Sequence, residues 1–166
     1  MGDHGARQLS PLFPRRVVRW DQRAGAFRLN LSDDDRAILK ELVPQFTSLL
    51  EDPDHPIMQR LYPPAYSDPA HADKQDEYRR LMQEDLVARH REEFELLAST
   101  ADAETLTEVE LLAWSRALNS IRLVLGTYLD ISEDDEQRVP QTAEESVYGW
   151  LTYLLGEAIE ALSGQT

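Results

Sequence analysis

Residues 113–130, AWSRALNSIRLVLGTYLD, constrain the fold more than any other stretch of the chain. Trp114, Ala117, Leu118, Ile121, Val124, Leu125 and Tyr128 recur at i, i+3, i+4 and i+7, which on a helix makes one wide apolar stripe facing a core. Leu112 and Leu123 project from the other side, with Arg116 and Asn119 between them, where a surface helix is normally polar throughout. Such a helix is expected to be covered on both sides, as the central member of a bundle or through contact with a second chain. A guanidinium and a carboxamide set there are costly to desolvate unless hydrogen-bonded and ion-paired. Arg116, Asn119 and Arg122 therefore read foremost as a structural polar layer that fixes helix register, ahead of a ligand- or partner-contacting role. Gly126 reads either as a point of close backbone approach or as a weak point in the helix.

The rest of the chain supplies partners for that helix. VVRW (17–20) and AFRLNL (26–31), joined by a turn at Gly25, read as a β-hairpin with Val18 and Trp20 on one face and Arg19 on the other. Ser32 before Asp33, Asp34 and Asp35 opens a helix that runs to about residue 51, with Pro44 predicting a kink or a break. Residues 51–69 hold five prolines and read as a packed loop with a helical turn or two from Pro56. Tyr78, Leu81, Met82, Leu86, His90, Phe94 and Leu97 predict a long amphipathic helix over 72–98. Thr107 with Glu110 and Thr142 with Glu145 are capping boxes opening two more helices, to Leu129 and about Leu162. The expected architecture is mainly α, a four-to-five-helix bundle with a small N-terminal β-hairpin. Residues 1–14 are expected to be a flexible lead-in, and 15–166 a single helical domain that includes the hairpin at 16–31.

With 166 residues, 42% hydrophobic and a formal charge of −14, the chain has the composition of a folded, acidic, soluble protein. It has no cysteine, which excludes disulfides, thiolate nucleophiles, Cys-ligated zinc and thiol redox sensing together. No apolar run approaches a membrane span and the N-terminus has no signal-peptide pattern, so a cytoplasmic location is expected. Residues 1–30 carry six arginines against Asp3 and Asp21, while the remainder is acidic. Arg15, Arg16, Arg19, Arg23 and Arg28, with Tyr62 and Tyr66 of the proline-rich segment, are the candidate partner-binding residues. The acidic body argues against a broad nucleic-acid footprint.

Signs of catalysis are lacking. Val87 stands where a Glu-x-x-His metal motif ending at His90 needs glutamate, and His4, His55 and His71 fall in loops. There is no phosphate-binding glycine loop and no nucleophile elbow. His90 reads as a boundary histidine bonded to a carboxylate more readily than as a base. No catalytic, cofactor-binding or metal residues are expected.

The run WSRALNSIRLVLGTYLDI, together with DPDHPIMQRLYPPAYSD, EYRRLMQEDLVARHREE and RVVRW, resembles the actinobacterial family DUF2017, also labelled AosR-like after an oxidative-stress transcriptional regulator. The resemblance implies a helical, non-enzymatic regulator or adaptor in a stress response, acting at promoters through protein partners such as a sigma factor or RNA polymerase. It implies no catalytic residues, and the absence of cysteine rules out a thiol switch in this member. Two other readings stay open: direct DNA binding, weakly supported because only the N-terminal arm is basic, and a helical small-molecule- or metal-binding protein with a pocket around Tyr62, Tyr66, Arg116 and Asn119. A homodimer through Leu112 and Leu123 is compatible with the sequence.

Overall fold

The helices begin on the side chains the sequence placed there. In the computed structural model, which describes residues 16–63, 69–135 and 139–164, α1 (Asp33–Leu49) starts on Ser32, whose hydroxyl accepts from Asp35 N while the Asp35 carboxylate accepts from Ser32 N. Thr107 and Glu110 form the same reciprocal box at the start of α3 (Glu108–Tyr128). At α4 (Ala143–Ser163), Thr142 caps Glu145 N, but the Glu145 carboxylate reaches back one residue further, to Gln141 N at 2.6 Å. α2 (Ala72–Ser99) is the longest helix. Short 3-10 turns lie at Pro56–Met58, Pro69–His71 and Glu133–Asp135. Among the described residues the architecture is mainly α, four helices with a small sheet near the N-terminus.

α3 lies between α2 and α4, and α1 packs on α2. Trp114, Leu118 and Ile121 are fully buried, along with Phe94 and Leu97 of α2 and Leu151 of α4. The Trp114 indole N–H donates to Thr100 Oγ1 at 2.6 Å, and that hydroxyl donates on to Leu96 O. The buried ring thus leaves no polar atom unpaired.

β1 (Val18–Asp21) and β2 (Ala26–Leu29) form the expected hairpin, turned at Gly25 with a φ of +62°. A third strand, β3 (Thr105–Leu106), pairs antiparallel with β2, setting Leu106 opposite Phe27. Val18, Phe27, Leu29 and Leu106 bury one face against the helices, and Trp20 at its outer end rests edge-on against Phe27 while staying 39% exposed. Arg36 ties this sheet to the bundle. Its guanidinium donates to Ala101 O at 2.8 Å and Ala103 O at 2.7 Å, and its second terminal nitrogen points at Leu29 O at 3.5 Å.

Several expectations are corrected. Pro44 does not break α1, which runs on through it. Lys40, whose carbonyl loses its helical donor, and Pro44 are both exposed, so water can replace the missing bond. Tyr128 is exposed, because α3 ends there: Asp130 takes a left-handed φ of +53°, Ile131 N closes onto Gly126 O, and Leu129 turns inward instead. Tyr78, Leu81 and Met82 are also exposed. The 28 residues of α2 span about 42 Å against about 32 Å for the 21-residue α3, so its first turns overhang the bundle. At Gly126 the structure selects close approach: an added Cβ would sit 3.0 Å from Arg60 Nη1 and 3.1 Å from the Tyr148 ring.

Arg36→Met keeps the stem's packing and strands the carbonyls of Ala101 and Ala103. It is expected to lower unfolding free energy by about 1.5–3 kcal/mol in urea denaturation, the range for hydrogen bonds to a charged group. A loss below about 0.5 kcal/mol would mean that the guanidinium does not join sheet to bundle.

Candidate functional site

Two regions hold the residues singled out from the sequence. The first is the outward face of the hairpin, where strand register sets Arg19 directly opposite Arg28. Like charges so placed repel. Asp21 relieves this: its carboxylate accepts from Arg28 Nε at 3.1 Å and Nη2 at 2.7 Å, and from the turn amides of Arg23 and Ala24. Arg28 and these amides hold the Asp21 carboxyl below the usual carboxylate range. Arg16 pairs with Glu160 of α4 at 2.7 Å, bringing the sheet's edge onto that helix. The side chains of Arg19 and Arg23 are exposed and have no ion-pair partner among the described residues. Arg15 and Tyr66 lie outside the described residues.

The second region is the seam where the Pro56–Met58 turn crosses α2 and α3. Tyr62 is buried, 8% exposed, and so is not presented to a partner; its hydroxyl lies 2.6 Å from His90 Nδ1. Burial pushes the Tyr62 phenol up to about 12, and burial with the neighbouring Arg89 charge pushes His90 below its ordinary value. Both facts favour the neutral pair, with the phenol donating to an unprotonated Nδ1. The partner of His90 is thus a phenol, where sequence reasoning expected a carboxylate. One turn on, Glu93 is buried at 8% exposure; desolvation raises its carboxyl, with Arg116 and Arg89 opposing.

The polar layer on α3 is narrower than the sequence suggested. Arg116 is exposed, Leu112 is 38% exposed and Leu123 is half-buried, so this side of the helix is only partly covered. Arg116 has a long stem and reaches water at no cost to its charge. Asn119 is half-buried and accepts from Arg122 Nη2 at 3.3 Å, one turn along the same helix. Arg122, not Arg116, is the guanidinium drawn into the structure: its Nε is shut off from solvent and has no acceptor. None of Tyr62, Arg116 and Asn119 lines the cavity that Arg122 borders against α4. Among the described residues no three His, Asp or Glu side chains are grouped as metal ligands. No helix among them is long and apolar enough to cross a membrane.

The neutral Tyr62–His90 pair carries a pH signature. A histidine whose folded pKa lies below its unfolded value binds the proton preferentially when unfolded, so stability falls as pH drops through about 6.5 toward the folded pKa. Thermal melts from pH 8 to 5.5 are expected to show this loss, and His90→Gln is expected to remove most of it. An unchanged slope in that variant would assign the loss to other groups.

Along 96% of its length the chain is 28% identical to proteins of Mycobacterium tuberculosis and Mycobacterium bovis named oxidative stress regulator AosR, covering 84% of each. Over 66% of its length it is 32% identical to a Mycobacterium leprae protein named putative oxidative stress regulator AosR, of which it covers 59%. No solved structure matches it. The family described as a domain of unknown function, DUF2017, matches residues 16–162, which takes in the sheet, all four helices and the Tyr62–His90 seam. The chain belongs to the DUF2017 family.

Proposed function

We propose that the protein is a non-enzymatic regulator of a cytoplasmic stress response that works by binding another protein, a sigma factor or RNA polymerase subunit. The observation that carries this reading is the similarity, along nearly the whole chain, to proteins named oxidative stress regulators. Two surface features support a protein partner. Tyr78, Leu81 and Met82, at i, i+3 and i+4 on the α2 overhang, are 66%, 58% and 52% exposed, an apolar ridge of the kind that seats in a groove or takes a groove's edge. Arg19 and Arg23 add a basic face to a molecule whose formal charge is −14. That overall charge disfavours DNA as the primary partner, since duplex binding draws on many phosphate contacts. His90 is committed to Tyr62 and lies outside the cavity lining, which supports the non-enzymatic reading.

Affinity capture from a native lysate with the full chain as bait is expected to enrich polymerase or sigma subunits. The double variants Arg19→Glu/Arg23→Glu and Leu81→Asp/Met82→Asp are each expected to lower capture roughly tenfold, equivalent to about 1.4 kcal/mol. Recovery at the level of bare beads would overturn the proposal. A gel shift of duplex DNA by the protein alone, abolished by moderate salt, would replace it with direct DNA contact.

A further inference from the structure

The side of α3 turned away from the core carries a pattern of its own. Val109, Leu112, Arg116, Asn119 and Leu123 follow one another at spacings of three, four, three and four, the repeat that brings two helices together along a seam. Val109 is 74% exposed, Leu112 and Arg116 are exposed, and Asn119 and Leu123 are half-buried. The five positions cover about 21 Å of helix. Their polar members are not spent within the chain. Arg116 makes no hydrogen bond or close ion pair among the described residues, and Asn119 uses only its Oδ1, which accepts from Arg122 at 3.3 Å.

Charge limits what can lie against this face. From Leu111 to Leu129 there is no Asp or Glu, the longest acid-free run in a chain with 31 acidic residues and a formal charge of −14. Two copies of so acidic a chain repel over most of their surfaces, and here the helix brings no carboxylate of its own to the meeting. Glu93 of α2 acts electrostatically on Arg116, so that arginine has a counter-charge within its own chain.

The pattern also selects a register for self-pairing. Two α3 helices side by side in parallel, or antiparallel with Arg116 on the two-fold axis, set guanidinium against guanidinium, which is repulsive. With the axis midway between Ala117 and Leu118, antiparallel packing sets Leu112 against the second copy's Leu123 and Arg116 against its Asn119, and both pairs recur across the axis. The guanidinium then donates to Asn119 Oδ1, which has a second lone pair to offer.

We propose that the protein self-associates as an isologous dimer in which the outward faces of two α3 helices pack antiparallel, Leu112 on Leu123 and Arg116 on Asn119 of the other copy. A two-fold dimer uses the same patch on both subunits, as this self-complementary pattern requires. Three apolar residues a side place it among the small, weak interfaces. The α2 ridge lies on another helix, so dimerisation and capture of a regulatory partner fail separately.

Sedimentation equilibrium of the full chain from about 5 μM to about 1 mM is expected to show a monomer–dimer equilibrium with a Kd of about 10–100 μM. Leu112→Asp is expected to raise that Kd at least about tenfold. Val109→Asp, at a more exposed position, is expected to raise it in the same direction and decides the matter should Leu112→Asp fold poorly. Because the chain has no cysteine, introduced thiols report the register. A mixture of Leu112→Cys and Leu123→Cys chains oxidised with diamide is expected to give several-fold more crosslinked dimer than either variant alone, since positions 112 and 123 face each other while like positions lie about 16 Å apart along the helix, beyond disulfide reach. A monomer at about 1 mM, a Kd unmoved by the aspartate substitution, or crosslinking of like with like in preference to the mixed pair would each overturn the proposal.

Discussion

The burial of Trp114 between α3 and the end of α2 is the contact on which the rest of the structure depends. The indole fills the centre of the core at zero exposure, and its N–H reaches Thr100 Oγ1, a hydroxyl already bound to Leu96 O. That chain of bonds fixes where α2 ends relative to α3. The seven residues between the end of α2 and the N-cap Thr107 then contain β3, so the position of one ring determines where the third strand can be laid. With β3 in place Leu106 meets Phe27, and the hairpin, too small to stand alone, acquires a surface to fold onto.

Arg36 completes the coupling from the other side. It is the fourth residue of α1, near the positive end of that helix's dipole, where an acidic residue would be preferred. The opposing cost is offset because the guanidinium spans from α1 to the carbonyls of Ala101 and Ala103, which have no strand or helix partner to take them. The three acidic residues Asp33, Asp34 and Asp35 supply the dipole complement that Arg36 does not. Local charge order at the helix start therefore frees one position for a long-range bond.

This division explains what was legible in the sequence. Helix starts were readable because a cap is a contract between residues three apart: Ser32 with Asp35, Thr107 with Glu110. The core stripe of α3 was readable for the same reason, up to the point where the helix ends; Tyr128 continued the spacing but not the helix, and left-handed Asp130 carries no composition signal as strong as a glycine would. The two residues of β3 were illegible, since their strand character comes from Phe27 and not from their own pattern. The exposure of Tyr78, Leu81 and Met82 was equally hidden, because periodicity marks an apolar face without saying how far its neighbours extend. On the polar side, the sequence identified the right segment of α3 but centred the polar layer on Arg116, whereas Arg122, on a different side of the helix, is the arginine whose Nε is enclosed.

The relatives' name speaks of oxidative stress, and the chemistry of this chain narrows how any such signal could enter. With no cysteine, sulfur chemistry is confined to three methionines. Met58 is 1% exposed, sealed beneath the Pro56–Met58 turn, whereas Met82 stands half out of the α2 overhang. Oxidation of Met82 would turn part of an apolar ridge polar without disturbing the core, so its structural effect would be confined to whatever docks there. The cavity beside Arg122 is differently placed: it touches α3, the helix whose packing positions both α2 and α4. A change at Met82 acts only at the far end of one helix. Sulfur oxidation at the surface is thus separated from the core that α3 organises: it can alter the α2 ridge while leaving the packing around Met58 and Trp114 untouched.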